Sequence, residues 1–202
     1  MKIARRSLGL FLSAILSVAA TAALAQTGTP AQPQTGAPAQ PPMPVPFDAA
    51  LLKAASDLFS KANLDGAPDK VTLVIDPLID GVTGAQSNAT HLEEKRIAEL
   101  VKSNYPRFQV ARFSAETIAQ SPVVLIGTFT AVNNAGAANG AKDAYRICLA
   151  LADMRTKTII SKGVSRALPA GIDPTPTAFF ADSPVFAKDA STDSYIKTCQ
   201  AS

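Results

Sequence analysis

Two cysteines, two closely spaced aspartates, one histidine and a knot of phenylalanines are the residues of this chain whose types could do chemistry. Cys148 and Cys199 form an even pair, and in a chain bound for an oxidising compartment such a pair favours a disulfide. The bond would tie a strand to the C-terminal segment and close a loop of about 50 residues, worth about 4 kcal/mol in chain entropy. The spacing is not the C-x-x-C of a redox exchanger, so the expected role is structural; a buried thiol and a free one is the other reading. Asp76 and Asp80 flank Pro77 and Gly81 where a strand should end, which is where ligands sit in open α/β sheets. Two carboxylates four apart can hold a cation or share acid–base work, but the alternating oxygen ligands of a calcium loop are missing. Asp-Pro and Asp-Gly are ordinary turn formers, and turn formation is the leading reading of both.

His91 is the single histidine. An imidazole can serve as a general base, yet no serine or cysteine nucleophile with an oxyanion context stands near it, and Ser87 and Ser114 read as turn and cap residues. A solvated surface histidine is expected. Gly81-x-x-Gly84 is too slight for a phosphate loop. One histidine and two cysteines argue against a multi-ligand zinc site, so no metal and no cofactor is expected. Phe179, Phe180 and Phe186, with Val185, lie in a stretch broken by Pro174, Pro176 and Pro184, so they form no regular helix or strand face. Either they pack back onto the sheet or they offer an apolar patch to a partner. Packing is favoured, because free aromatic clusters cost solubility. The candidate partner-binding set is therefore Asp76, Asp80, Phe179, Phe180 and Phe186.

The chain has 202 residues, 47% hydrophobic and 17% charged, with a formal net charge of +3. That length is a prior for a single domain. Residues 1–25 hold Lys2, Arg5 and Arg6 and no acid, so beyond them 19 − 3 = 16 basic residues face 16 acidic ones. A net charge of zero there argues against a nucleic-acid binder, which needs phosphate neutralisation, and against a polybasic membrane-surface protein. The basic start, the apolar run Leu8 to Ala20 and Ala23-Leu24-Ala25 before Gln26 together read as a cleaved bacterial signal peptide. The apolar run is shorter than the roughly 20 residues a spanning helix needs, and no cysteine follows to carry a lipid anchor. Arg5-Arg6 leaves Sec and twin-arginine export both open. The expected location is the periplasm or outside the cell, with no stable membrane insertion after cleavage. Residues 26–46 carry seven prolines and no charge, the composition of a disordered, extended linker.

Leu51, Leu52, Ala55, Leu58, Phe59 and Ala62 recur at helical spacing, predicting a helix from Asp48 to Lys61 capped by Asp48. Val71 to Ile75 predicts a buried strand. A second helix is expected over Thr90 to Ser103, with Thr90 and Glu93 as a capping box and Leu92, Ile97, Leu100 and Val101 as its apolar stripe. Phe108 to Phe113 predicts a strand, and Ser114 caps a short helix that Ser121-Pro122 stops. Val123 to Thr130 predicts a central strand, and Asn133 to Ala141 a hairpin loop. Tyr145 to Met154 and Thr158 to Val164 are two more strands joined by a tight turn at Arg155-Thr156-Lys157. A final helix, roughly Asp193 to Cys199, closes the order α-β-α-β-α-β-β-β-(α). The expected fold is a single α/β (α+β) domain over 47–202, with a mixed sheet, a core at 47–168 and an irregular tail at 169–202.

The segment from Ser121-Pro-Val-Val-Leu-Ile-Gly-Thr-Phe-Thr to Val132, followed by Tyr145-Arg-Ile-Cys-Leu-Ala-Leu-Ala-Asp-Met-Arg-Thr-Lys-Thr-Ile-Ile-Ser-Lys-Gly163, resembles a recurring bacterial envelope module. The module occurs in the curli secretion channel family, the flagellar outer-membrane protein O family and the outer-membrane activators of a penicillin-binding peptidoglycan synthase. The N-terminal domain of the Tol translocation β-propeller protein looks similar. The helix Glu93 to Val101 before Phe108-Gln109-Val110 fits the same scheme, and the likeness covers Val71 to Val164. Thr156-Lys157 stands where those families have Thr-Gly, their lipoprotein cysteine is absent, and Pro169 to Ser202 has no counterpart. The resemblance implies a non-catalytic module that binds an envelope protein partner and brings no catalytic residue. A small secreted hydrolase or ligand-binding protein using Asp76, Asp80 and His91 is the alternative reading.

Overall fold

The computed structural model describes residues 41–178. Helix α1 (Phe47–Ser60) is followed by β1 (Val71–Ile75), α2 (Asn88–Asn104), β2 (Phe108–Ala111) and α3 (Ala115–Ala119). Strands β3 (Val123–Val132), β4 (Ala144–Asp153) and β5 (Thr158–Ala167) complete the order. They build one five-stranded mixed sheet in the order β2-β1-β3-β4-β5. β1 runs parallel to β2 and β3, while β3, β4 and β5 form an antiparallel meander. This is the α/β arrangement the alternating periodicities predict.

The path β1-α2-β2 steps to one side of β1, and β2-α3-β3 steps back past it. Right-handed crossovers in both steps put α2 and α3 on opposite faces. The main core accordingly lies between the sheet and α1 and α2, around Leu58, Leu73, Ile97, Leu125, Leu149 and Leu151. Ile118 of α3 packs on the other face, against a cluster of Val74, Val124, Ile126, Cys148 and Ala150. α1 comes very close to β5 because Gly163 has no side chain: a Cβ there would collide with the backbone of Ala54. The small residues Ala50, Ala54 and Ala55 on the buried side of α1 serve the same approach.

The helix starts differ from expectation. α1 begins at Phe47, its capping position is Pro46 and no side chain caps it, so Asp48 is a first-turn acid rather than a cap. Pro46 presets the backbone there without a side-chain acceptor. α2 begins two residues before the expected start, because Ser87 rather than Thr90 is the cap. The Ser87 hydroxyl accepts from Thr90 N and the Thr90 hydroxyl accepts from Ser87 N, a reciprocal box one turn earlier. That frees Glu93 from any capping role. Leu52 and Leu92, assigned to the apolar stripes, are 50% and 39% exposed; neighbouring Leu51 and Ala89 take the core positions.

The β4–β5 turn is as predicted. Asp153 Oδ1 accepts from the N–H groups of Arg155 (2.8 Å) and Thr156 (3.3 Å), and Lys157 takes a left-handed conformation with φ 56°. The end of the proline-rich stretch adds to the sheet edge: Val45 N donates to Arg166 O and Leu168 N donates to Val45 O. The expected terminal helix at 193–199 lies outside the described residues.

Candidate functional site

The loop after β1 does not leave the sheet. Pro77 and Leu78 carry the chain on to Ile79, which bridges Thr128 in parallel register and accepts from Phe129 N. The crevice expected beside the end of β1 is thus filled by the chain's own backbone. Asp80 then turns away. Its Oδ1 accepts from Val82 N (3.0 Å), Thr83 N (2.7 Å) and the Thr83 hydroxyl (3.0 Å), the bonding of a turn-forming aspartate.

Asp76 lies among acids that the sequence did not single out. Glu93 faces the core on α2 with 0% exposure, and neither carboxylate oxygen has a hydrogen-bond partner. Burial, reinforced by the charge of Glu94, holds Glu93 protonated well above the usual carboxyl range. Glu94 is half-buried. Its Oε1 accepts from Leu78 N at 2.7 Å and from Gln86 Nε2 at 3.4 Å, so this one oxygen fastens both ends of the 78–86 loop to α2. Burial still raises it, against those contacts. Asp76 is pushed up to about 7, by burial first and by the Glu94 charge second. Helical periodicity would place residue 93 on the face of Ile97 and Leu100, but a glutamate there reads as a cap until the true cap, Ser87, is identified.

His91 joins this region without joining a catalytic set. Its Nδ1 lies 3.5 Å from Glu94 Oε2, and its Nε2 lies 3.1 Å from the Thr177 hydroxyl. Asp80 spends its bonds within its own turn, so Asp76, Asp80 and His91 share no hydrogen bond. Among the described residues no cluster of three or more His, Cys, Asp or Glu side chains could hold a metal ion.

What the loop does build is a hollow. A cavity of about 290 Å³ opens between the 80–87 loop, the β3–β4 hairpin and Pro174 and Pro176. Its floor includes Phe129 and Tyr145, whose rings stack at 4.6 Å and 6°. Val82, 63% exposed, stands on the wall, and Asp80 and Lys142 bring opposite charges to the lining. Burial and the nearby Asp80 charge raise the Tyr145 phenol. The proline wall is pinned to the start of α2 and the loop before it: Asn88 N donates to Thr175 O, Ala89 N to Asp173 O and Thr177 N to Gln86 O. The Asn88 amide adds a bond to Asp173 Oδ2 at 2.8 Å. Asp80 was legible in the sequence; Val82 shares its loop, Lys142 and Tyr145 lie some 60 residues on at the start of β4, and no local pattern links the two segments.

Of the other sequence-assigned residues, Phe179, Phe180, Phe186 and Cys199 lie outside the described residues. Cys148 is 1% exposed on β4, and no described cysteine is a free thiol.

No family model matches the chain, and no curated protein matches it. Three solved structures are similar. The LpoB C-terminal domain from Salmonella enterica matches with a TM-score of 0.40 at 15% identity, over 60% of this chain and 97% of that one. The LpoB C-terminal domain from Escherichia coli gives 0.40 at 14%, over 59% and 96%. The NMR structure of E. coli LpoB gives 0.38 at 16%, over 82% and 90%. None of these three is a curli channel, a flagellar protein or a Tol protein. At such scores the likeness fixes neither a partner nor a role. Among the described residues no helix is long and apolar enough to cross a membrane.

Proposed function

We propose that this chain is a non-catalytic protein-interaction module of the bacterial cell envelope, and that its partner docks at the pole formed by the 80–87 loop, the β3–β4 hairpin and residues 174–176. The observation that carries this reading is the open hollow with an aromatic floor, an exposed valine on its wall and one charge of each sign. Aromatic floors that are rigid and partly desolvated are where the few dominant contacts of an interface concentrate. The floor is held by β3 and β4, two neighbouring ten-residue strands, and the walls are tied to α2, so the surface is preorganised and little ordering cost opposes binding. The sequence resemblance supplies the setting, envelope assembly, and makes a penicillin-binding peptidoglycan synthase the first partner to test.

A tagged copy crosslinked in cells, followed by mass spectrometry of the captured envelope proteins, tests the reading. The double variant Val82→Asp/Lys142→Glu changes exposed residues that the fold does not use. It should keep the thermal midpoint and lose a partner that the parent chain captures reproducibly. Equal capture by parent and variant would move the interface elsewhere, and capture of nothing by the parent would remove the interaction reading.

A further inference from the structure

One carboxylate oxygen holds both ends of the loop that walls the hollow. Glu94 Oε1 accepts from Leu78 N at 2.7 Å and from Gln86 Nε2 at 3.4 Å, and between those ends lie Asp80, Val82 and Thr83 of the lining. Inside this clasp the loop closes on itself, Asp80 N donating to Ala85 O and Gly84 N to Asp80 O. The clasp is built beside other acids. Asp76 stands two residues before Leu78, still in the sheet through Asp76 N to Leu125 O. Its half-buried carboxyl gains no hydrogen bond and no cation among the described residues. Glu93, next to Glu94 on α2, is fully buried and unpartnered. The basic group at Glu94 is the His91 imidazole, with Nδ1 3.5 Å from Oε2. The other charges nearby are engaged or turned away. Asp80 serves its own turn, Asp173 accepts from Asn88 and Thr175, Arg96 faces Asp48 of α1 and Glu99, and Lys95 is exposed. β2 and β3, which pack on α2, bring no ionisable side chain.

We propose that ionisation of Asp76 releases this clasp, so that the 78–86 loop is held firmly in acid and opens more often as pH rises to neutrality. A second negative charge beside Glu94 has no cation of its own, and the repulsion is relieved when the loop lifts away and water reaches both carboxyls. In the closed loop Asp76 ionises only at about 7, held up by burial first and by the Glu94 charge second. Burial raises Glu94 too, which acts in the same direction. Opening returns Asp76 towards its ordinary 3.8. A carboxyl raised in the closed form favours closure below its open-form value, and that advantage is lost as pH rises to the closed-form value. The open fraction therefore grows by up to about tenfold per pH unit through the acid range, and it levels off above about 7. The latch is independent of docking. Its consequence, a docking wall that is firm in acid and looser at neutral pH, rests on the function proposed above.

Amide hydrogen exchange of the full chain, followed by NMR at pH 5, 6, 7 and 8, reads the latch without a partner. Each rate is divided by the intrinsic rate at that pH to give a protection factor. Leu78 N should be less protected than the amides of the β3–β4 ladder, because it exchanges by local opening. Its protection should fall about tenfold or more between pH 5 and pH 7, and by less than about threefold from pH 7 to pH 8. Asp76→Asn keeps the shape and cannot ionise, and should cut the fall between pH 5 and pH 7 to about threefold or less. Exchange of Leu78 at the rate of the ladder would mean that the loop opens only when the whole domain unfolds, and would overturn the proposal. Protection of Leu78 that is flat with pH in the parent chain, or that falls equally in Asp76→Asn, would overturn it too. A pH-dependent Leu78 with no captured partner would remove the docking reading and leave the latch standing.

Discussion

Asp76 makes the sharpest quantitative prediction. Its carboxyl is pushed from 3.8 to about 7 in the folded chain, a difference of roughly 3 pH units, and each unit corresponds to about 1.4 kcal/mol between the two protonation states. The folded pKa is raised, so the contribution is fully present below pH 3.8 and is lost as pH rises towards 7. Above pH 7 the unfolded chain has gained an ionisation that the folded chain accepts only at a cost, up to about 4 kcal/mol. The side chain keeps some contact with water, so about 2 to 4 kcal/mol is expected, a large share of the roughly 5 to 15 kcal/mol that holds a domain together. Asp76→Asn removes the ionisation and keeps the shape. Urea unfolding of both proteins at pH 4, 5.5 and 8 should therefore show near-equal stability at pH 4 and a variant more stable by about 2 to 4 kcal/mol at pH 8. A gap that does not change with pH, or a variant less stable than the parent at pH 8, would refute the burial argument.

Three further substitutions probe the same construction. Glu93→Met replaces a buried, unpartnered carboxyl with an apolar side chain of similar size, and should stabilise the domain by about 1 to 3 kcal/mol at neutral pH. Because burial raises Glu93 above its ordinary 4.5, that gain should be smallest below pH 4.5 and grow as pH rises, readable from chemical denaturation at pH 4 and pH 8. Gly163→Ala forces a methyl group against the Ala54 backbone, so α1 must shift and the domain should lose about 1 to 3 kcal/mol by thermal or chemical unfolding. Ser87→Ala removes the acceptor for Thr90 N and should cost about 1 kcal/mol, with faster amide exchange confined to the first turn of α2.

The strands were legible because their side chains announce them. Val71 to Ile75 is a short β-branched run and forms β1 over those same residues. Val123 to Thr130 is a continuous apolar stretch, and β3 is buried along nearly its whole length. Two-sided burial leaves no alternation to misread. The helix starts were harder, since caps depend on which of several hydroxyl residues the chain selects; Ser87 and Thr90 are both valid caps by type, and only the packing of Ala89 and Glu93 against the sheet decides between them. The same ambiguity concealed the acid cluster, because a glutamate three residues after a threonine looks like a capping partner when it is in fact buried beside the core. Asp80 was correctly given turn chemistry. The hollow it borders was not legible, because Val82, Phe129, Lys142 and Tyr145 meet only once β3 and β4 pair Ala131 with Tyr145. The parallel half of the sheet invited a ligand crevice beside β1, and the bridge from Ile79 to Thr128 fills it.

The most direct test of the interaction reading is a photocrosslinking amino acid placed at Val82, on the wall of the hollow, with a second copy carrying it at Leu52, which is also solvent-facing, on α1. After irradiation of intact cells, the Val82 position should yield a defined adduct with one envelope protein, and the Leu52 position should not. The same adduct from both positions, or from Leu52 alone, would contradict a docking pole between the 80–87 loop and the β3–β4 hairpin.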